Sequence, residues 1–520
     1  MEKYKLKDYI EKLQEHNLLI EYNANSDVLN TLIDKVSYNS KEVSKNTLFV
    51  CKGLKYKPEY LDSAINLGAI AYIAEENNVT RKDFPHIIVN NIQQALALVS
   101  CIFYNFPAEK INMIGITGTK GKSTTAYYIK SILDNYMIDL HEKDTAIISS
   151  IDTYDGIIKK ESLLTSPESL ELQYHIRNAV NSDIKNLVME VSSQALKLSR
   201  VGNIIYDICA FLNISEDHIS SIEHPNFEDY FNSKLKIFDQ AKTAVVNLDC
   251  DYSDIILKTA HKCNKVITFG TSPSANVYGY NIKKEGHNNI KFRVKTPYFD
   301  EDMLLTMPGL FNVENALAAI AIAVSMNIPY KNIFDGLKVA RASGRMESHS
   351  SKDGSIIVIV DYAHNKLSFE KLYKSTKQEY PDKKIVTVFG CPGGKAQIRR
   401  RDLGTLAGIN SDISYLTAED PGPEDTVSIC EEISNYIKKE HGKYKIVEDR
   451  GEAIKKAILE NPNSVVLITG KGNETRQKYG AKYVKCLTDT QYAEKYLKEY
   501  EKTLKIEWKS FTRFFKKLIL

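Results

Sequence analysis

The chain has 520 residues, 43% of them hydrophobic, and a formal net charge of only +3 from 69 basic and 66 acidic residues. That length suits about three or four domains with ample apolar content for their cores, and the near-neutral charge excludes a global field for nucleic acid, so any anion is recognised locally. Eight cysteines lie scattered without zinc-site or disulfide-framework spacing, which fits free thiols in the cytoplasm, and no stretch reaches the about 18 apolar residues of a membrane span.

In chain order, residues 1–107 predict a small N-terminal α/β domain with a helix near 6–17 and strands around 36–38, 47–51 and 69–74. Residues 108–342 alternate helical stretches with short apolar runs at 114–116, 146–148, 186–190, 207–212 and 244–247, the pattern of a buried, mostly parallel sheet. The alternation restarts over 343–503, with runs at 356–360, 385–389, 413–416 and 465–468. It predicts a doubly wound, Rossmann-like sheet whose ligands lie beyond the carboxyl ends of its strands. Residues 504–520 put Trp508, Phe511, Phe515 and Leu518 on one helical face, with Lys509, Arg513, Lys516 and Lys517 largely elsewhere. Two readings stay open for this basic amphipathic tail: a terminal helix packed on its own domain, the commoner case, and an interfacial helix giving weak membrane association.

The central segment carries the clearest chemistry. Thr117-Gly118-Thr119-Lys120-Gly121-Lys122-Ser123-Thr124 follows an apolar run and opens a helix. Glycines let backbone N–H groups converge on an anion, the helix start adds positive potential, Lys122 reaches terminal phosphates, and the Ser123 hydroxyl can ligate magnesium. A triphosphate with Mg2+ is expected. Ile116 stands where longer forms of this loop have glycine, so this is the shortened version. Glu190, ending the run 186–190, is suited to hold magnesium with Ser123, although alone it is equally an ordinary strand end. Taken singly, His218 and Lys234 are more often core or surface residues than ligands.

The combination is more specific. The phosphate loop is followed by Thr165-Ser166-Pro167-Glu168, then the stretches 189–194, 213–218 and 309–316, then Gly344-Arg345-Met346-Glu347 and Asp361-Tyr362-Ala363-His364. In this order, over nearly the whole chain, they resemble the Mur ligases, with spacing similar to the branch that adds the third amino acid of the peptidoglycan precursor. The resemblance implies three domains: 1–107 for the UDP end of the precursor, 108–342 for ATP, and 343–503 for the incoming amino acid. It also implies the reaction. ATP phosphorylates the D-glutamate side chain of UDP-MurNAc-L-Ala-D-Glu, and the amine of the incoming amino acid displaces phosphate. A monomer that uses no nucleic acid is expected.

Roles carry over by position. The resemblance implies catalytic roles for Lys122, Glu190, His218 and Lys234, with Ser123, Glu190, His218 and a carbamylated Lys234 around Mg2+. An unmodified ammonium about 4 Å from magnesium would be repelled by about 8 kcal/mol at an effective dielectric of about 20, and a carbamate reverses that sign. It gives ATP the residues Thr117, Gly118, Thr119, Lys120, Gly121, Lys122, Ser123 and Thr124, together with Asn312, Asn315, Arg345 and Asp361, with His364 nearby. It gives the UDP-MurNAc-dipeptide Ser40, Thr165, Ser166, Ser192 and Arg200, although Asn39 and Lys41 depart from the Asp and Arg common in the family. It gives the incoming amino acid Arg400, Glu419, Asp420, Gly470 and Glu474.

The added amino acid follows from one short stretch. Members adding diaminopimelate carry Asp-Asn-Pro-Arg, whose Arg grips the distal carboxylate; the matching residues here are Glu419-Asp420-Pro421-Gly422. Gly422 offers no forked cation, so a buried second carboxylate would go unpaired. Glu419 and Asp420 suit a terminal ammonium, which favours L-lysine over meso-diaminopimelate, with L-ornithine close behind. A folylpolyglutamate synthetase is disfavoured by residues 37–53, which resemble the family's uridine-nucleotide module. Intact Lys122, Glu190, His218 and Lys234 speak against a non-catalytic nucleotide-binding homologue.

Overall fold

The computed structural model describes residues 2–53, 56–216, 219, 223–285, 289–395 and 397–503. His218 and the tail 504–520 therefore lie outside the described residues. The chain forms two units: residues 1–279, 295–299 and 316–336 make the first, and residues 280–294, 300–315 and 337–520 the second. No helix among the described residues is long and apolar enough to cross a membrane.

The first unit contains two sheets. Strands β1 (Leu19–Asn23), β2 (Lys35–Ser37), β3 (Thr47–Val50), β4 (Ala69–Ala74) and β5 (His86–Val89) form a five-stranded sheet in the order β1-β5-β4-β3-β2. Only β1 runs antiparallel. Continuous apolar runs such as Ala69–Ala74 need helices on both faces: Leu6–Glu15 and Ile92–Phe103 cover one through Leu6, Leu13, Leu96 and Val99, and Pro58–Asn66 covers the other through Leu61 and Ala64.

The second sheet positions the phosphate loop. It begins with β6 (Asn112–Thr117), β7 (Ala146–Ile148), β8 (Asp152–Tyr154) and β9 (Lys159–Glu161), and continues with β10 (Asn186–Glu190), β11 (Tyr206–Phe211), β12 (Ala241–Asn247), β13 (Lys265–Gly270) and β14 (Val277–Glu285). From one side the order is β13-β12-β11-β6-β10-β7-β8-β9. Strands β7, β10, β6, β11, β12 and β13 are parallel, so the segments after β6, β7, β10 and β11 all emerge at one edge. After β10 the chain crosses to the far side of β6, a switch point at which such sheets bind ligands. Gly115 lies on β6 beneath the Tyr206 ring, which stands 2.8 Å from where a Cβ would be, so the central strand tolerates no side chain there.

In the second unit, the outer part of β14 is followed by β15 (Asn289–Lys295) and β16 (Asp300–Leu305). Beyond them come β17 (Glu347–Ser350), β18 (Ile356–Asp361), β19 (Lys384–Phe389), β20 (Ile413–Leu416), β21 (Tyr444–Ile446) and β22 (Ser464–Thr469). They form a six-stranded sheet in the order β17-β18-β22-β19-β20-β21, parallel apart from the edge strand β17. The expected Rossmann-like sheet is present. A short hairpin of β23 (Arg476–Tyr479) and β24 (Lys482–Lys485) follows.

Candidate functional site

In the first unit, β6 ends at Thr117, whose hydroxyl donates to Val191 O at 2.8 Å and ties the loop to the end of β10. Gly118 (φ +152°) and Gly121 (φ +85°) take backbone angles that a side chain would strain, and a Cβ on Gly118 would stand 3.0 Å from Leu212 Cβ. Helix Lys122–Asp139 starts at once. Lys122 Nζ folds back to donate to Gly118 O at 2.9 Å and Thr119 O at 3.2 Å, which holds its charge over the loop.

The segment after β11 clamps the other side. Asn213 accepts from Lys120 N at 2.9 Å through Oδ1 and donates to Lys120 O at 3.1 Å, while Asn213 O accepts from Thr119 N at 3.0 Å. Thr119 Oγ1 accepts from Ser215 N at 3.1 Å and lies 3.0 Å from the Tyr230 hydroxyl. Thr124 is buried in the first turn of the helix.

An oxygen-rich corner forms where β6, β7 and β10 end. Ser123 Oγ is 2.9 Å from Ser150 Oγ, and Ser150 donates to Glu190 Oε1 through N at 2.8 Å and Oγ at 3.0 Å. Glu190 is 1% exposed. Hydroxyls and a carboxylate suit a hard cation such as Mg2+. Among the described residues, no group of three or more His, Cys, Asp or Glu could hold a metal ion by itself. Lys234, also buried, donates from Nζ to Gly118 O at 2.9 Å and lies 4.9 Å from the centre of the Tyr230 ring. This brings Lys122, Ser123, Glu190 and Lys234 to one loop.

The residues expected to hold the dipeptide fall into two groups. Ser166 Oγ donates to Glu190 O at 2.9 Å and accepts from Ser192 N at 3.1 Å, which stitches Ser166 and Ser192 to the end of β10 beside half-buried Thr165. Ser192 also caps helix Ser193–Lys197 by accepting from Ala195 N at 3.2 Å. Arg200 Nε pairs with Glu168 at 2.8 Å, Glu168 also pairs with Lys52, and Lys52 lies over the Tyr38 ring at 5.2 Å. Ser40 opens the short turn Ser40–Glu42 two residues after Tyr38. Asn39 is occupied there in capping its own turn, accepting from Lys41 N at 3.2 Å and donating to Glu42 at 2.8 Å.

In the second unit, Asp361, Glu419 with Asp420, and Gly470 lie at or just past the ends of β18, β20 and β22. The Asp361 carboxylate accepts from Met346 N and Ala363 N, each at 2.8 Å, which fixes the backbone beside Arg345. The Arg345 guanidinium stacks over Tyr362 at 4.3 Å, the Tyr362 hydroxyl donates to Glu474 at 3.0 Å, and His364 Nδ1 lies 2.7 Å from Tyr362 O. Asn312 donates to Pro308 O at 2.7 Å and accepts from Asn315 at 3.0 Å.

Glu419 is buried, and its burial pushes the carboxyl up to about 8 against the pull of Arg450, Arg399 and Lys471. It is mostly protonated at neutral pH. The negative potential expected of it therefore falls to Asp420 and Glu474, which share the buried Lys471 ammonium at 2.9 and 2.5 Å. Gly470 (φ +101°) must lack a side chain, since a Cβ would stand 2.2 Å from Glu419 Oε2. Gly422 (φ +59°) donates from N to Lys478 O at 3.1 Å and accepts from Gly480 N at 2.5 Å, so this residue meets the hairpin through its backbone alone. Arg400 is committed to Glu424 at 2.7 Å and Glu432 at 2.6 Å. None of these contacts joins it to Glu419, Asp420 or Glu474.

Residues 116–323 match the Mur ligase middle domain and residues 344–472 the Mur ligase glutamate ligase domain. A UDP-N-acetylmuramyl-tripeptide synthetase of Lactobacillus delbrueckii subsp. bulgaricus is 38% identical over 489 residues, covering 90% of this chain and 93% of the relative. The chain belongs to the Mur ligase family. Another relative, the UDP-N-acetylmuramoyl-L-alanyl-D-glutamate--L-lysine ligase of Enterococcus faecalis, is 37% identical over 458 residues, 86% of this chain and 88% of its own. The fold of this Mur ligase resembles that of a solved 2,6-diaminopimelate ligase, with TM-score 0.65 at 20% identity, covering 96% of this chain and 99% of that one. It also resembles a MurF ligase from Thermotoga maritima in complex with ADP, with TM-score 0.56 at 18% identity over 91% and 98% of the two chains.

Three residues at the loop were not singled out individually by the sequence: Ser150, Asn213 and Tyr230. Ser150 and Asn213 each follow the carboxyl end of a parallel strand flanking β6 or β10, the signal that could have found them.

Proposed function

We propose that this Mur ligase joins L-lysine to the D-glutamate side-chain carboxylate of UDP-MurNAc-L-Ala-D-Glu, using ATP. The observation that carries the ligase chemistry is the buried Lys234 against Gly118 O, beside the Ser123–Ser150–Glu190 corner. A loop built only to bind nucleotide has no need to bury a second lysine at its first glycine.

The carboxylate attacks the γ-phosphorus of ATP and ADP leaves. The lysine amine then attacks the acyl carbon, phosphate leaves, and the nitrogen gives up a proton. Lys122 sits over the loop that takes the β and γ phosphates, and the N-terminus of its helix favours their charge. Ser123, Glu190 and His218 are the residues that would hold magnesium, which offsets repulsion between two approaching anions. Lys234 as a carbamate keeps one N–H, enough for its bond to Gly118 O, and gains an anionic head. Thr165, Ser166, Ser192 and Arg200 are assigned to the muramoyl dipeptide and Ser40 to the uridine diphosphate. Asn312, Asn315, Arg345 and Asp361 are assigned to ATP. For the amino acid, the acidic pair Asp420 and Glu474 suits an ammonium, Gly470 leaves room for Glu419, and Arg400 is assigned to the α-carboxylate, for which it would have to release Glu424 or Glu432.

The relatives named as lysine ligases support the lysine reading, as does the bare backbone at Gly422. We further assign 1–107, 108–342 and 343–503 to the UDP, ATP and amino-acid domains of a cytoplasmic monomer, and for 504–520 keep both readings, a helix packed on its own domain and a weak membrane contact. Phosphate release from ATP tests the core of this reading. It is expected to require both UDP-MurNAc-dipeptide and an amino acid; release indifferent to either one would overturn it.

A further inference from the structure

Outside the residues assigned above, the first unit holds a Ser–His–Asp chain whose serine and histidine are buried and whose aspartate is half-buried. His224 is fully buried, with Nδ1 2.6 Å from Asp229 Oδ2 and Nε2 3.0 Å from Ser193 Oγ. A proton on Nδ1 faces the Asp229 carboxylate, and Nε2 bonds the Ser193 hydroxyl. Lys197 Nζ orients Asp229 from 2.6 Å and also donates to Glu223 O at 3.1 Å. The pattern is that of an activated nucleophile, but Ser193 is 4% exposed and opens a helix with its hydroxyl turned to the imidazole. Substrate does not reach it, so the chain of bonds holds pieces of protein together.

Those pieces matter. Ser193 ends the strip Glu190-Val191-Ser192-Ser193, which carries the magnesium candidate Glu190 and the dipeptide candidate Ser192. Asp229 lies in helix Phe227–Leu235, which carries Tyr230 and Lys234. The His224 ring meets the Tyr230 ring edge-on at 5.2 Å, and Tyr230 in turn touches Thr119 of the phosphate loop. The backbone of His224 also bridges Ile219, the residue after His218. The imidazole therefore stands between the strip and the helix, and the backbone of the same residue meets Ile219.

We propose that His224 is a positioning residue for ligation: its bond to Ser193 keeps the strip bearing Glu190 and Ser192 aligned with the helix bearing Lys234. This rests on the roles proposed above for those residues. A small misalignment between two reacting groups is costly in rate even where the fold survives.

The test separates the two ends of the imidazole. In His224→Gln the amide reaches the Nε2 position and keeps a partner for Ser193; in His224→Asn it reaches the Nδ1 position and keeps only Asp229. Ser193→Ala removes the same bond with little change to the core. Steady-state kinetics and melting temperature are measured for all three. We expect Ser193→Ala and His224→Asn to lose about tenfold or more in kcat, with a raised KM for the dipeptide and an unchanged KM for lysine. His224→Gln is expected to stay within about threefold of wild type at a melting temperature like that of His224→Asn. Wild-type rates in Ser193→Ala, or losses that track melting temperature across all three, would overturn the proposal. Wild-type turnover tests the functional reading separately, because the positioning claim is read only from ratios to it.

Discussion

Lys234 and Glu419 are both buried ionisable groups, and each states something different about the chemistry. The Lys234 head donates to Gly118 O at 2.9 Å, beneath a loop shaped for anions. Replacing it with methionine keeps an apolar chain of similar length and removes the charged head that lies near Tyr230. Lys234→Met is therefore expected to fold while losing phosphate release by about 100-fold or more, the scale at which removing a charge-organising group acts. A variant with near wild-type release would show that the lysine is structural. Glu419 concerns pH. Its native pKa of about 8 stands above the ordinary 4.5, so the folded state binds a proton that the unfolded state gives up between those values. Its contribution to stability is fully present below pH 4.5 and lost as pH rises through about 8. Denaturant unfolding of Glu419→Gln across pH 5 to 8 is expected to show a flatter decline than wild type; parallel curves would contradict the burial argument.

Among the elements, helix Lys122–Asp139 was legible because its start is written in consecutive residues, glycines, a lysine and a serine after an apolar strand. What braces it was not. Ser150 and Asn213 reach the loop only because β7 and β11 lie where the sheet order puts them, and strand order is not encoded locally. The strands β14 to β16 carry no phosphate or carboxylate motif, and their charged outer residues leave no continuous apolar run to announce them. Gly336 is a further silent feature. It sits in helix Tyr330–Val339 where a Cβ would stand 2.5 Å from Ile132 Cα, and its carbonyl accepts from Ser131 at 2.8 Å. The phosphate-loop helix and this one therefore meet backbone to backbone. Alanine helps an isolated helix by about 1 kcal/mol, but overpacking costs about 1–3 kcal/mol and the clash here is with main chain. Gly336→Ala is expected to lower unfolding stability in denaturant titration; a gain would mean that the helices separate freely.

Across the whole molecule, two parallel sheets each deliver a functional set at the carboxyl edge of their strands: the phosphate loop, Ser150, Glu190 and Asn213 in one, and Asp361, Glu419 and Gly470 in the other. The division proposed above, one sheet for the triphosphate and another for the incoming amine, uses that repetition. The central claim is that the second set reads a basic amino acid, with Asp420 and Glu474 around Lys471 and no cation at Gly422. The most direct measurement is the mass of the product formed from UDP-MurNAc-L-Ala-D-Glu, ATP and Mg2+ with equal L-lysine, L-ornithine and meso-diaminopimelate in competition. The account expects a product extended chiefly by lysine, with one phosphate released per product. Predominant incorporation of diaminopimelate would contradict it.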